Sequence, residues 1–368
     1  MDIGVPKEIK NHEYRVALPP AGVQQLVQAG HRVWVETCAA DHLGFTDDDY
    51  RQAGADLCHN ATGVWGNAQL ILKVKEPQPN ECDLLRPDHT LFTYLHLAAD
   101  EALTDRLLNA GCTAIAYETV TGQRGDLPLL TPMSEVAGRM SVQAGAHCLE
   151  ISQQGRGVLL SGVPGVVSGR VVILGGGVVG SNAARIALGM GANVTILDTS
   201  ASRLTWLEQN LSGKLTTLYS TMDSIENAVL TADLVIGAVL IPGAAAPKLV
   251  SEQLVSRMKQ GAVLVDVAID QGGCFATSAP TTHSNPTFIK HGVVHYCVAN
   301  MPGAVARTSS QALSNVTLPY VLQLANKGWA DALADDPGFA AGLNIHQGQI
   351  YCPGVAETFH RPLIALSA

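Results

Sequence analysis

Gly175, Gly177 and Gly180 stand as G-x-G-x-x-G inside the stretch VVILGGGVVGSNAARIALGMGANVTILD (171–198). An apolar run of buried-strand type, 171–174, precedes them, and an Ala-rich helical segment follows to Met190. A second strand candidate, 193–197, ends at Asp198. In such a frame the first glycine permits a tight turn, the second admits a pyrophosphate, and the third lets helix pack on strand. Unpaired N–H groups at the helix start complete a phosphate site. A glycine-rich turn alone is a weak signal, but here the strand, the helix and the later acid are all present, and they predict a dinucleotide site. A carboxylate at Asp198 accepts from the adenosine ribose hydroxyls and repels a 2′-phosphate, which favours NAD. Arg203, a little further on, reads three ways: as a phosphate partner, as a cover for adenine, or as a solvated helix arginine.

Ligands gather beyond the carboxyl ends of the strands in open α/β sheets. That rule selects four more side chains. Lys75 follows the apolar run 70–74, and His96 follows 91–95. Arg15 lies in the loop after the first strand candidate, near Lys7 and Lys10, and Asp270 follows 263–267. Two cations, a histidine and a carboxylate around a nicotinamide suit oxidation of a small amino or hydroxy acid. Each also has a plain structural reading. Lys75 reads equally as a snorkelling strand-end lysine beside Lys73, and His96 as a satisfied loop histidine. Arg15 reads as one half of a surface salt bridge to Glu8 or Glu13, and Asp270 as a cap on the turn into Gly272 and Gly273.

These residues need a scaffold, and the periodicity supplies one. Before residue 130, strand candidates at 3–6, 32–36, 70–74, 91–95 and 113–117 alternate with helical stretches such as 20–29 and 100–110. That alternation predicts parallel β–α units. A long helix is expected over 131–153, with Thr131 capping it and Pro132 in its first turn. Six further strands are expected at 171–174, 194–197, 215–219, 234–239, 263–267 and 294–298, with 280–287 as a loop. Six is the number of a complete doubly wound dinucleotide fold. A helix over 309–325 then returns the chain to the first domain. The expected class is therefore α/β, with two Rossmann-like doubly wound parallel-sheet domains separated by a cleft. Residues 1–130 plus 305–368 would form the substrate domain and 131–304 the NAD-binding domain.

Composition narrows the classes. The chain has 368 residues, a net charge of −9, 47% hydrophobic and 15% charged residues, and no basic cluster, which argues against nucleic acid. The start MDIGVPKEIK lacks the apolar core of a signal peptide, and the longest apolar stretch, 234–246, is broken by glycine and proline. The eight cysteines include no C-x-x-C pair or zinc-like spacing; Cys112, Cys148 and Cys297 sit in apolar runs and read as buried, reduced thiols. A cytoplasmic protein with no membrane partner is expected.

Eight segments, in order along most of the chain, resemble the alanine dehydrogenase family. They are GVPKEIKNHEYRVAL (4–18), KVKEP (73–77), TYLHLAAD (93–100), PMSEVAGRMS (132–141), GVPGV (162–166), DVAIDQGG (266–273), HYCVANMPGAV (295–305) and SNVTLPY (314–320). A related activity is that of the nucleotide-binding subunit of proton-translocating transhydrogenase, but the form around Asp270 and the histidine of TYLHLAAD resemble the alanine dehydrogenase version. The resemblance implies Arg15 and Lys75 as substrate ligands, His96 as general acid/base, and Asp270 as a second proton-transfer group. For NAD it implies Ser134, Val178, Val179, Asp198, Arg203, Ser220, Val239 and Leu240. It adds Val267, Ala268, Ile269 and Asp270, then Val298, Ala299, Asn300 and Met301. It also implies a homohexamer acting on L-alanine, pyruvate and ammonium. Four positions depart from the family's pattern. Ala279 stands where relatives often carry arginine, and Ala306 where they often carry proline. Gln323 and Lys327 replace residues that bind a metal in some relatives, so no metal site is expected. A non-catalytic NAD-binding protein is the alternative from another class.

Overall fold

The computed structural model describes residues 1–239 and 246–365. The chain divides into two compact units, Met1–Met133 with Val305–Ala368, and Ser134–Ala304.

In the first unit, six strands pair in parallel: β1 (Asp2–Val5), β2 (Arg32–Glu36), β3 (Asp56–Cys58), β4 (Leu70–Leu72), β5 (Thr90–Thr93) and β6 (Thr113–Ala116). Their order is β6-β5-β4-β1-β2-β3. Buried strands of a parallel sheet are covered on both faces, so they read as continuous apolar runs. Leu70, Ile71 and Leu72 are all buried. The helices Pro20–Gln28 and Glu101–Ala110 fall at the expected positions, the latter capped by Asp100, which accepts from Leu103 N–H at 2.9 Å.

The second unit holds β7 (Arg170–Leu174), β8 (Asn193–Asp198), β9 (Leu215–Tyr219), β10 (Leu234–Gly237), β11 (Val263–Asp266), β12 (Thr287–Lys290) and β13 (Val293–Tyr296). Six of them run parallel in the order β13-β11-β10-β7-β8-β9. Counted from the first strand, both units therefore share the doubly wound arrangement 3-2-1-4-5-6. The two-residue period shows in β7: Val171 and Ile173 enter one core, Val172 and Leu174 the other. Among the described residues no helix is long and apolar enough to cross a membrane.

Several elements differ from expectation. The loop expected over 280–287 runs into β12, which pairs antiparallel to β13 at the sheet edge. Its Pro286 hides the strand start, as proline does at edges. At the other sheet's edge, β14 (Leu343–His346) pairs antiparallel to β6, and β15 (Gln349–Ile350) to β14. The hairpin between these two turns through Gln347 and Gly348, both at positive φ. The helix expected over 131–153 ends at Cys148, because the chain doubles back: a Cβ on Gly155 would lie 2.2 Å from the Cys148 carbonyl. Thr131 is the first helical residue rather than its cap, and its hydroxyl donates to the Leu127 carbonyl at 2.9 Å. The helix expected over 309–325 runs longer, Ala306–Lys327.

Two buried histidines set an acid limit on this fold. His89 accepts from Arg86 N–H and donates to the Trp65 carbonyl, both at 3.0 Å. His295 donates to the Val293 carbonyl at 2.9 Å and accepts from the Thr277 hydroxyl at 2.8 Å. Burial lowers both below the usual histidine range. Between the folded and unfolded values the unfolded chain binds more protons, so stability rises with pH in that window and is lost as pH falls below about 6.5. The expected slope approaches about 1.4 kcal/mol per pH unit for each histidine. Melting temperature measured from about pH 7.5 down to 5 checks this, and His295→Gln should flatten the decline.

Candidate active site

In the first unit the strand order reverses between β1 and β4, and a ligand crevice belongs beyond the carboxyl ends of that pair. Arg15 lies on the loop after β1, Lys75 just beyond β4, and His96 beyond β5, which pairs with β4. Three neighbouring strands thus deliver three side chains to one edge. Arg15 lines a cavity of about 260 Å³ with Lys7, Lys10, His12, Glu13 and His42; Lys75 and His96 are not part of its wall.

Each of the three is fastened by a carboxylate. Glu13 grips the Arg15 guanidinium: Nε donates to Oε1 at 2.7 Å and Nη2 to Oε2 at 2.6 Å. The surface salt bridge that was one reading of Arg15 is in fact a buried one, with Arg15 only 2% exposed. Burial works against its charge, but Glu13 more than offsets this and raises the arginine's pKa. At Lys75, Glu8 accepts from the backbone N–H of Val74 at 2.6 Å and of Lys75 at 3.4 Å. Glu8 reaches there because it also binds Lys73 Nζ at 3.0 Å, while Glu81 takes the same ammonium at 2.8 Å. Lys73 is wholly buried; burial opposes its charge, and the two carboxylates hold its pKa above the usual lysine range. At His96, Glu118 accepts from the backbone N–H at 2.6 Å and from Leu95 N–H at 3.2 Å. Its Oε1 also lies 3.8 Å from His96 Nδ1. These bonds keep His96 left-handed at φ 50°, a costly conformation for a residue with a Cβ. Tyr94 stacks parallel to the imidazole, with ring centroids 5.9 Å apart.

Glu8, Glu13, Glu81 and Glu118 do not follow from the strand-end rule. One signal was present: Lys73 interrupts the apolar run of β4, and a buried lysine requires carboxylate partners. Nothing in the sequence said which acids those were.

In the second unit each glycine of the turn has a distinct geometric role. Gly175 has φ 100°, and a Cβ there would meet the Ala238 carbonyl at 2.8 Å. A Cβ on Gly180 would lie 1.8 Å from the Gly175 carbonyl, so helix Val178–Gly189 can pack only without one. Gly177 is different: its Cβ direction is open, with no atom within 4 Å. The protein does not need glycine there for packing, so that space fits the cradle of a pyrophosphate at the helix start. Asp198 ends β8 and accepts from Gly176 N–H at 2.7 Å and Ser200 N–H at 2.8 Å. Arg203 is not a solvated helix arginine. Its Nε donates to the Gly176 carbonyl and Nη2 to the Gly177 carbonyl at 3.2 Å, and its guanidinium lies 4.1 Å from the Trp206 ring centre.

The remaining predicted cofactor residues fall mostly at the same carboxyl edge. Ser220 follows β9, and its N–H donates to the Asp198 carbonyl at 3.0 Å. Val239 follows β10; Leu240 lies outside the described residues. Val267, Ala268, Ile269 and Asp270 form a short helical turn after β11, and Asp270 is exposed. The cap of that turn is Asp266, not Asp270. Asp266 is buried and accepts from Ala268 N–H at 3.2 Å, Cys274 N–H at 2.9 Å and the Ser278 hydroxyl at 2.6 Å. Val298, Ala299, Asn300 and Met301 follow β13, with Asn300 left-handed at φ 63°. Ser134 stands one turn before Gly138, whose missing Cβ would be 2.2 Å from the Val179 carbonyl, so helix Thr131–Cys148 meets the glycine turn closely. Of the departures from the family pattern, Ala279 is exposed, Ala306 begins its helix, and Lys327 pairs with Asp335.

Two doubly wound sheets, one with a glycine-turn nucleotide site and one with a cationic strand-end site, define a dinucleotide-dependent enzyme class. Residues 4–137 match the family described as alanine dehydrogenase/PNT, N-terminal domain, and 141–353 its C-terminal domain. The chain belongs to this alanine dehydrogenase/PNT family. It is 62% identical to the alanine dehydrogenase of Halomonas elongata over 98% of this chain and 97% of that one. With the alanine dehydrogenase of Bacillus subtilis it shares 57% over 97% and 94%. A solved L-alanine dehydrogenase superposes with a TM-score of 0.95 at 55% identity, covering 98% of this chain and 99% of the other. The transhydrogenase from Sinorhizobium meliloti, at 22% identity over 96% and 99% with a TM-score of 0.81, shares the fold.

Proposed function

We propose that this protein catalyses the reversible NAD-dependent oxidative deamination of L-alanine, in which alanine, NAD⁺ and water give pyruvate, ammonium, NADH and a proton. The observation that carries the reading is the delivery of Arg15, Lys75 and His96 to one edge by β1, β4 and β5. NAD, when bound, supplies the hydride acceptor. Gly175, Gly177 and Gly180, with the helix start at Val178 and Val179, would hold its pyrophosphate, and Asp198 its adenosine ribose. Ser134, Arg203, Ser220, Val239, Val267–Asp270 and Val298–Met301 complete the proposed set.

The protein's own groups handle the substrate and the protons. Arg15 orients the alanine carboxylate, which fixes Cα for hydride loss. Lys75 polarises the developing carbonyl. His96 takes the amine proton as the C–H bond breaks, then serves the addition of water to the imine and the release of ammonia; imidazole suits both directions near neutral pH. Asp270 is assigned the second proton-transfer role and orders the attacking water. The free cysteines, buried at Cys58, Cys82, Cys112, Cys148, Cys274 and Cys297, fit a reducing, cytoplasmic compartment. An apolar segment with Ile151 73% and Val167 78% exposed, and Leu159, Val163 and Val166 beside them, supports a homo-oligomer, which we read as a hexamer by resemblance.

Asp198 sets the choice of NAD. Arg203 donates to two turn carbonyls, which occupies N–H groups that a 2′-phosphate would need, and the Asp198 carboxylate meets such a phosphate with like charge. Asp198→Ser is expected to raise NADP use relative to NAD by about 100-fold in kcat/KM, read from paired steady-state assays. The reading itself is tested by NADH formation from NAD with a panel of small L-amino acids at alkaline pH. Turnover confined largely to alanine supports it, whereas NADH binding without turnover of any amino acid overturns it.

A further inference from the structure

The Arg15–Glu13 pair is built more tightly than substrate binding alone requires. Both side chains are closed to solvent, at 2% and 0% exposure. Both oxygens of Glu13 are engaged by the guanidinium, and Oε1 also accepts the Arg15 backbone N–H at 3.0 Å. One carboxylate thus fixes the main chain, the side-chain plane and the rotation of the same arginine. On the opposite side, Nη1 lies 3.1 Å from Met133 Sδ, so the guanidinium is bracketed. The pair is also electrically closed. Its positive charge is cancelled at contact distance in a medium that screens poorly.

We propose that Glu13 is a positioning residue for the substrate carboxylate, fixing the direction in which Arg15 donates. This rests on the alanine dehydrogenase reading. The substrate carboxylate then meets an oriented donor at Arg15 and draws net positive charge from Lys75. Other charged or titratable groups around Arg15 include Glu8 and Tyr94, which act on it electrostatically, and Lys7, Lys10, His12 and His42 of the shared cavity. Glu13 is the one among them that holds the guanidinium by two hydrogen bonds.

Two substitutions test this role. Glu13→Gln keeps the shape but turns one acceptor into a donor facing Nη2, and it removes the charge. The expected result is a KM for alanine and pyruvate raised by about 10- to 100-fold, with a smaller change in kcat. Glu13→Asp keeps the charge but shortens the reach, so KM again rises while kcat changes less. NADH affinity and melting temperature report whether each variant is folded; if Glu13→Gln does not fold, Glu13→Asp decides alone. A folded Glu13→Gln with wild-type KM overturns the proposal, as does a wild-type KM in Glu13→Asp. Failure of the wild-type protein to oxidise alanine would instead strike the underlying reading.

Discussion

His96→Asn is expected to lower kcat for alanine oxidation by about 100- to 10,000-fold while leaving NADH binding intact. Asparagine is the informative replacement because it tolerates the left-handed backbone that His96 adopts at φ 50°. An alanine there would add backbone strain to the loss of the imidazole, and the two effects would be mixed. With asparagine, the Glu118 bonds to the Leu95 and His96 N–H groups remain, so the β5 end stays in place. The rate loss then reports the proton transfer alone. Stopped-flow and steady-state rates across pH check it. Retained turnover in a folded His96→Asn would move the proton duty to another group.

The second large effect distinguishes two glycines that look alike in the motif. Gly177→Val is expected to leave the fold intact and weaken NADH binding by about 100-fold or more, since the side chain enters space that only a ligand would fill. Gly180→Ala is expected to do the reverse first. Its methyl would sit 1.8 Å from the Gly175 carbonyl, so helix and strand must separate, at a cost of about 1–3 kcal/mol. Fluorescence titration with NADH, paired with thermal melts, reads both. A Gly177→Val protein that binds NADH normally would remove the pyrophosphate from this turn.

How legible each part was follows from how its residues meet solvent. The parallel strands announced themselves because burial on both faces demands unbroken apolar runs, as in Val171–Leu174 and Leu70–Leu72. Of the edge strands only β9, expected and found at 215–219, did so; β3, β12 and β15 did not. β3 has three residues, β15 has two, and β12 begins beside Pro286. Such strands satisfy fewer neighbours and need no apolar signature. Arg15, Lys75 and His96 were legible by position, since the strand ends themselves locate a crevice. Of the carboxylates that hold them, Glu13 was readable as a partner of Arg15 but its burial was not, and neither were Glu8 at Lys75 and Glu118 at His96. A glutamate buried against a lysine or arginine is spelled the same as a solvated one, and only tertiary contact separates Glu13 from the exposed Glu101.

Under the proposed function one strand order serves two ligands. In the second unit the first strand leads through glycines directly into a helix, whose start would meet phosphate. In the first unit β1 leads instead into the loop PKEIKNHEYR, which carries Lys7, Lys10 and Arg15 and has no helix before Pro20. Side-chain cations there replace the backbone N–H groups of the glycine turn, which suits a small carboxylate better than a dinucleotide.

In the proposed reaction hydride leaves Cα of alanine for the nicotinamide. The most direct test supplies L-alanine carrying deuterium at Cα with unlabelled NAD and measures the mass of the NADH formed. The expected products are NADH one mass unit heavier and pyruvate free of the label. Unlabelled NADH, or label retained in the product, would contradict it.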